Sequence, residues 1–465
     1  MLIERVFTPG LAQVAYLVAD EPAREVAVID PRRDVDEYVD WADGRGFRIV
    51  AILETHVHAD FVSGAPELAA RTGAPVYASR LGESEFPHVP LDDGALIPVG
   101  ELRLQAFWTP GHTPEHMSFL LRPPSAAAPV AMFSGDLLFV GEVGRPDLLG
   151  KRHTQELAGE LYETIHHRLA SIGDDVVVYP GHTAGSSCGR KIGDAPNTTM
   201  GEQRLSNYAF RPQTREQFIE SVLANMPPPP TYYPVLKKIN KGGAASAGSL
   251  AGAAPLAPRE VRRLQADGAL LLDTRDPQAF TRGFIPGSRF AGLGPNFTAW
   301  TGWIAPYDRP LVLVVDSPEA LEDAVTNLRR IGLDNVAGYV DGGVAGWRSA
   351  GLPLHSIEEI DVHALASQMN EPGFAVLDVR SEDEYQAGHI PKARHAFAGQ
   401  IVQGVDAPIS PGERVAVICG TGYRSLVAIS ELASQGIDGL INVPGGMSTW
   451  EEAGLPSTSR IATTV

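Results

Sequence analysis

Most of the chemistry open to this chain lies in its histidines and its two cysteines, and nine of the thirteen histidines come before Gly185. The turn Thr55-His56-Val57-His58-Ala59-Asp60-Phe61 offers two imidazoles and a carboxylate. It follows the β-branched run Arg48-Ile-Val-Ala-Ile-Leu53, so it falls on a loop at the carboxyl end of a strand, where α/β sheets hold their sites. Thr109-Pro-Gly-His112, Phe133-Ser-Gly-Asp136 and Tyr179-Pro-Gly-His182 repeat the arrangement. One loop histidine is ordinarily a surface residue or a satisfied hydrogen-bond donor. Four strand-end loops that each offer a ligand type point to a metal. Cys419 lies in Val415-Ala-Val-Ile-Cys419-Gly420-Thr421-Gly422-Tyr423-Arg424-Ser425, between a buried-strand pattern and a helix. Backbone N–H groups in such a loop converge on an anion, lower a thiol pKa and can hold a cysteine persulfide.

These residues need a scaffold, and the chain supplies two kinds. Up to about Asn240, short Val/Ile/Leu runs such as Glu25-Val-Ala-Val-Ile-Asp30 alternate with polar turns, with helical patterns between or after them. This predicts a layered α/β domain over 1–240. Residues 241–257, rich in Gly, Ala and Ser and almost uncharged, read as a flexible linker. After it the text repeats. Leu272-Asp273-Thr-Arg275 returns as Leu377-Asp378-Val-Arg380, Gly283-Phe-Ile-Pro as Gly388-His-Ile-Pro, and Gly342-Gly-Val-Ala-Gly-Trp347 as Gly445-Gly-Met-Ser-Thr-Trp450. Two tandem α/β copies with parallel sheets are expected, over 258–355 and 356–465.

At 465 residues the chain exceeds one core. A formal charge of −18 argues against nucleic acid or an anionic membrane as partner. No apolar run approaches the roughly 18 residues that span a bilayer, and no leader pattern opens the sequence. Two cysteines cannot build a disulfide framework, so a reduced, cytoplasmic setting is the expectation.

The first 240 residues resemble the metallo-β-lactamase superfamily, whose fold is an αββα sandwich. Within it, Gly135-Asp136-Leu-Leu-Phe-Val-Gly-Glu-Val-Gly-Arg145-Pro-Asp147 resembles the stretch after the acidic ligand in persulfide (sulfur) dioxygenases. That resemblance implies one Fe(II) held by His56, His112 and Asp136, a facial triad with open positions for O2 and a persulfide sulfur. In hydrolytic relatives His58, Asp60 and His182 serve a second metal together with a further histidine. Phe61 stands at that last position and cannot ligate. The three are then expected to orient ligands or substrate, or to be structural only. Arg145 faces an anionic substrate or pairs with Asp147. Cys188, in Gly185-Ser-Ser-Cys188-Gly, is expected near the metal pocket, to relay sulfur, to respond to oxidation or simply to pack. His116 is given no role.

The Cys419 loop resembles that of rhodanese sulfurtransferases, with four residues between Cys and Arg. Cys419 and Arg424 are the expected catalytic pair, within the sulfur-binding loop of Gly420, Thr421, Gly422, Tyr423 and Ser425. Cys419 to Gly445 and Asp316 to Gly342 are both 26 residues apart, so Asp316 takes the nucleophile's place in the first copy, which is expected to be inactive. Together the resemblances imply a fusion that oxidises low-molecular-weight thiol persulfides to sulfite and makes or consumes thiosulfate at Cys419. They also imply a homo-oligomer. Rival readings are a zinc thioester hydrolase of the glyoxalase II type and a non-enzymatic sulfur carrier or redox sensor.

Overall fold

The computed structural model describes residues 1–459. The chain divides into two units, Met1–Leu250 with Arg329–Gly332, and the remainder from Ala251 onward. In the first unit, two six-stranded sheets stack face to face. One runs in chain order from Leu2–Thr8 through Gln13–Asp20, Glu25–Ile29, Arg48–Leu53 and Val76–Ser79 to Val89–Leu91. The other runs Thr198–Thr199, Val177–Pro180, Ala131–Gly135, Met117–Arg122, Leu102–Trp108, Leu96–Val99.

Alternation decides which side chains meet between the sheets. Val14, Tyr16 and Val18 of one sheet join Leu104, Ala106, Phe119 and Phe133 of the other in a single buried cluster. The intervening residues face outward: Ala15, Leu17 and Ala19 pack with Tyr38 and Leu68 of helices Asp36–Arg45 and Ala65–Thr72. Met132 and Val178 pack with Leu161 and Phe218 of helices Lys151–Glu163 and Arg215–Leu223 on the other side. Both faces of each sheet are thus covered, which is why strand Gln13–Asp20 is buried at every position. The result is a four-layer αββα sandwich: the strand and helix patterns predict a layered α/β domain, and the αββα order is what the superfamily resemblance implies.

The helix Tyr233–Gly242 runs past Asn240, the point where the sequence opens the linker. Buried Tyr233, Leu236 and Asn240 give it an inward face, and the Asn240 amide donates to His58 O (2.8 Å) and Phe61 O (2.7 Å). Local composition does not reveal those long-range bonds.

The second unit holds two five-stranded, all-parallel sheets of identical order. Leu270–Asp273 and Leu311–Val314 are central in the first copy, Phe374–Asp378 and Arg414–Ile418 in the second. Their apolar runs suit strands covered on both faces. In each copy an Arg two residues beyond the Asp folds back onto it, Arg275 on Asp273 (2.6 Å) and Arg380 on Asp378 (2.7 Å), so the repeated Asp-x-Arg is structural. The copies share one apolar cluster: Phe280, Phe284, Phe290 and Trp300 of the first lie with Ala398, Ile401 and Leu426 of the second. Arg289 reaches Glu431 across the seam (2.6 Å), and Phe290 N donates to Ser430 Oγ (3.0 Å).

Candidate active sites

Four strands of the sandwich end at one place. His56 and His58 follow strand Arg48–Leu53, His112 follows Leu102–Trp108, Asp136 follows Ala131–Gly135, and His182 follows Val177–Pro180. All are buried. His56, His112 and Asp136 offer ligand atoms that lie within 4.8 Å of one another. Asp60, His182 and Cys188 form a second such group, and Asp30, Glu54 and His58 a third.

The orientation of the rings distinguishes these groups. His56 Nδ1 is engaged by Thr55 Oγ1 (2.9 Å), His112 Nδ1 donates to Arg145 O (2.9 Å), and His182 Nδ1 to Ala12 O (3.2 Å). Each ring therefore turns Nε2 toward the centre, the tautomer logic of metal-bound imidazoles. His56 Nε2 and Asp136 Oδ2 are buried without a hydrogen-bond partner. Such atoms are costly unless something fills the space between them. His112 Nε2 stands 3.6 Å from that same Asp136 Oδ2. Two neutral imidazoles and a carboxylate around a shared gap fit a divalent metal.

His58 is turned the other way. Its Nε2 contacts Asp30 Oδ1 (3.1 Å) and Glu54 Oε2 (3.5 Å), while Phe61 covers its ring at 4.3 Å between centroids. Burial pulls the His58 imidazole down, but the Asp30 and Glu54 carboxylates outweigh it and raise the group to about 9. Burial pushes Glu54 up to about 8 against the pull of His58. His56 and His112 are driven well below their ordinary range, chiefly by burial and neighbouring imidazoles, and stay neutral. Burial raises Asp136 to about 6 despite His182 beside it.

Several contributors carry no signal in the sequence. Asp30 accepts from Thr55 N (2.7 Å) and Thr55 Oγ1 (2.8 Å), which fixes the residue that holds His56. His116 accepts from Asp136 N through Nε2 (3.1 Å) and meets Thr109 Oγ1 through Nδ1 (2.9 Å), so it positions the acidic ligand. Its acceptor role requires a neutral ring, and burial holds it at about 3. Gly135 adopts φ +51, and a Cβ there would lie 2.7 Å from His116 Nε2. Only glycine fits that approach.

Cys188 falls beside Asp60 and His182, and its Sγ is 4.0 Å from the buried Tyr233 hydroxyl. Burial pushes its thiol up to about 12, so it is a neutral thiol here. Asp60 sits 3.2 Å from His182 Nε2. Of the two roles expected for Arg145, the structure shows the ion pair with Asp147. The guanidinium grips Asp147 through Nε (2.7 Å) and one terminal nitrogen (2.8 Å), and donates to Ser187 O (3.1 Å) and Pro227 O (2.7 Å). Its backbone carbonyl is what holds His112.

In the second unit, Cys419 closes strand Arg414–Ile418 and precedes helix Tyr423–Ser434. Gly422, at φ +100, turns its N–H onto Cys419 Sγ (3.1 Å). Ser425 Oγ lies 3.8 Å from the sulfur, between Gly422 O (2.9 Å) and Asn442 Oδ1 (2.7 Å). Arg424 gives both terminal nitrogens to Glu384 (2.6 and 2.7 Å). Its guanidinium therefore reaches the thiol only as a nearby charge. Gly420 and Thr421 form the turn of the loop, and Tyr423 anchors it by donating to Gly292 O of the first copy (3.0 Å). The matching loop of the first copy presents exposed Asp316.

Comparison with known proteins separates the same two parts. Residues 8–182 match the metallo-beta-lactamase superfamily, and residues 257–350 and 361–453 each match the rhodanese-like domain. The chain is 29% identical over 184 residues to the human mitochondrial persulfide dioxygenase ETHE1, covering 39% of this chain and 68% of that protein. It is 33% identical over 186 residues to a hydroxyacylglutathione hydrolase of Polaromonas sp., covering 39% and 66%. Among solved structures, a metallo-beta-lactamase from Staphylococcus aureus subsp. aureus COL is 31% identical with a TM-score of 0.65, covering 73% of this chain and 98% of that one.

Proposed function

We propose that this chain, which belongs to the metallo-beta-lactamase superfamily and carries two tandem rhodanese-like domains behind that fold, is a persulfide dioxygenase joined to a sulfurtransferase. The observation that carries the first half is the inward set of His56, His112 and Asp136, with unpartnered His56 Nε2 and Asp136 Oδ2, while a phenyl ring at Phe61 packs on His58. The 29% identity to a persulfide dioxygenase supports it.

In this reading His56, His112 and Asp136 hold one ferrous ion, which would supply the redox chemistry that O2 requires. The protein's own groups do the rest. Thr55, Arg145 O and His116 fix the two rings and the carboxylate, as the surroundings of metal ligands generally do. The apolar surroundings of Cys188, from Phe139 and Ile192, exclude water from that side. The product is sulfite, formed from the terminal sulfur of a low-molecular-weight thiol persulfide.

At Cys419 the Gly422 N–H stabilises a thiolate or a persulfide anion, with Arg424 adding positive charge at a distance. That thiol carries sulfane sulfur between a persulfide and sulfite, making or consuming thiosulfate. Asp316 cannot do so, and the first copy is the inactive one. Linking both steps in one chain limits the escape of reactive sulfur species.

Anaerobic metal analysis followed by O2 uptake on adding a thiol persulfide tests the first half. One iron per chain and persulfide-dependent O2 consumption are expected. Two zinc ions with thioester hydrolysis and no O2 uptake would instead establish the hydrolase reading suggested by the hydroxyacylglutathione hydrolase relative.

A further inference from the structure

Beside the Cys419 loop, both rhodanese-like copies line one open cleft of about 630 Å3. Thr421, Gly422 and Tyr423 come from the nucleophile's own loop, whereas Asp276, Gln278 and Arg282 come from the copy that lacks a nucleophile. The wall from the first copy is held in place. Tyr423 is tied to Gly292 O, Arg289 to Glu431, and the aromatic cluster seals the seam behind them.

The charges on this lining are mixed. Arg282 is its one cation, and Asp276 and Glu359 are its carboxylates. Glu359 is already engaged by Asn442 Nδ2 (2.8 Å). Asp276 accepts from Ala279 N through Oδ1 (2.9 Å), and its Oδ2 makes no hydrogen bond among the described residues. Arg282 makes only a long 3.4 Å contact to Gln278 with its side chain among the described residues. A small ion such as thiosulfate would occupy little of this space and leave most of the mixed-charge lining without a partner. A ligand that carries both a carboxylate and an ammonium group is complementary to the lining.

We propose that the cleft receives the carrier thiol of an amino-acid-like, zwitterionic persulfide. Arg282 binds its carboxylate and Asp276 its ammonium while the terminal sulfur passes to Cys419. This rests on Cys419 being a sulfurtransferase nucleophile. The step is balanced without an oxidant: the Cys419 thiolate attacks the terminal sulfur of R–S–SH. The carrier's S–S bond breaks, a new one forms to Cys419, and R–SH leaves with the proton. The inactive copy thereby serves as a specificity wall.

The test is sulfur transfer to sulfite by the full-length, iron-loaded chain under anaerobic conditions, so that O2 chemistry does not consume the donor. Three donors are compared: the persulfides of cysteine, 3-mercaptopropionate and 2-mercaptoethanol. Arg282→Ala should raise KM about tenfold, equivalent to about 1.4 kcal/mol, for the first two donors. It should leave kcat unchanged and the uncharged donor unaffected, and Arg282→Lys should recover most of the loss. Asp276→Asn, which keeps a helix-capping side chain, should weaken only cysteine persulfide. Equal effects on all three donors, or no effect on any, would overturn the inference while leaving Cys419 as the nucleophile. No transfer from any donor to wild-type protein would overturn the reading of Cys419, and the inference with it.

Discussion

Replacing Arg145 with Met decides between two roles for a residue only nine positions beyond Asp136. The side chain is fully enclosed and makes four hydrogen bonds, two to Asp147 and one each to Ser187 O and Pro227 O. Met preserves most of the volume but removes the donors and leaves every one of these acceptors without its Arg145 partner. Removing one partner of a buried ion pair costs about 3–5 kcal/mol. Asp147 keeps 20% exposure and can regain water, which places this case at the lower end, about 3 kcal/mol. For a unit of this size each kcal/mol moves Tm by about 2–4 °C, so the unfolding transition of the first unit should fall by about 6–12 °C. Because His112 hangs from the Arg145 carbonyl, bound-metal content should fall in parallel. Differential scanning calorimetry with metal analysis on the same samples measures both. Arg145→Lys, which keeps the charge but not the two-pronged grip, should lie between wild type and Met. An unchanged transition combined with a raised persulfide KM would refute the reasoning and return Arg145 to a substrate-facing role.

Two further outcomes follow from the second unit. Cys419→Ser should abolish thiosulfate-linked sulfur transfer and leave persulfide-dependent O2 uptake intact; loss of both activities in a folded variant would contradict separate sites. Burial works against the Glu384 carboxylate, but Arg424 overrides it and holds the group at about 2. A depressed carboxylate contributes stability that is present above its unfolded pKa of roughly 4.5 and is lost as pH falls toward about 2. Glu384→Gln should therefore be less stable than wild type at pH 7, with the gap closing below about pH 4.5 in urea titrations. The effect should be modest, because the Glu384 side chain is 38% exposed.

Local patterns carried the parts of this molecule that could be read in advance. His56, His112, Asp136 and His182 each end a strand, so strand-end reasoning puts them on one side of a sheet sandwich before any contact is known. The tandem copies were legible because Asp-x-Arg and Gly-Gly-x-x-x-Trp recur at matched spacing. Groups fixed by distant partners were not. Asp30 reaches Thr55 and His58 from another strand, Arg145 is bound by Pro227 O 82 residues away, and Arg424 by Glu384 40 residues away. His116 looks like any other histidine until its Nε2 is seen to accept from Asp136 N. The helix through Asn240 escaped notice because a Gly/Ala-rich stretch follows it at once, and its reason for folding is an amide bonded to carbonyls near residue 60.

The shared aromatic seam of the second unit sets different tolerances across one duplicated domain. In the first copy, Asp316 is exposed and lies outside the shared apolar cluster, which gives its side chain more freedom to vary. Phe290 and Trp300 have no such freedom, because the helix that begins at Tyr423 rests on the same cluster. A domain with Asp316 where its twin has Cys419 therefore remains constrained through its packed face. Excising it would bare Phe397 and Leu426 to water and remove the anchor of the Cys419 loop. The loop that carries chemistry in one copy can differ in the other, but the surface on which the two lean cannot.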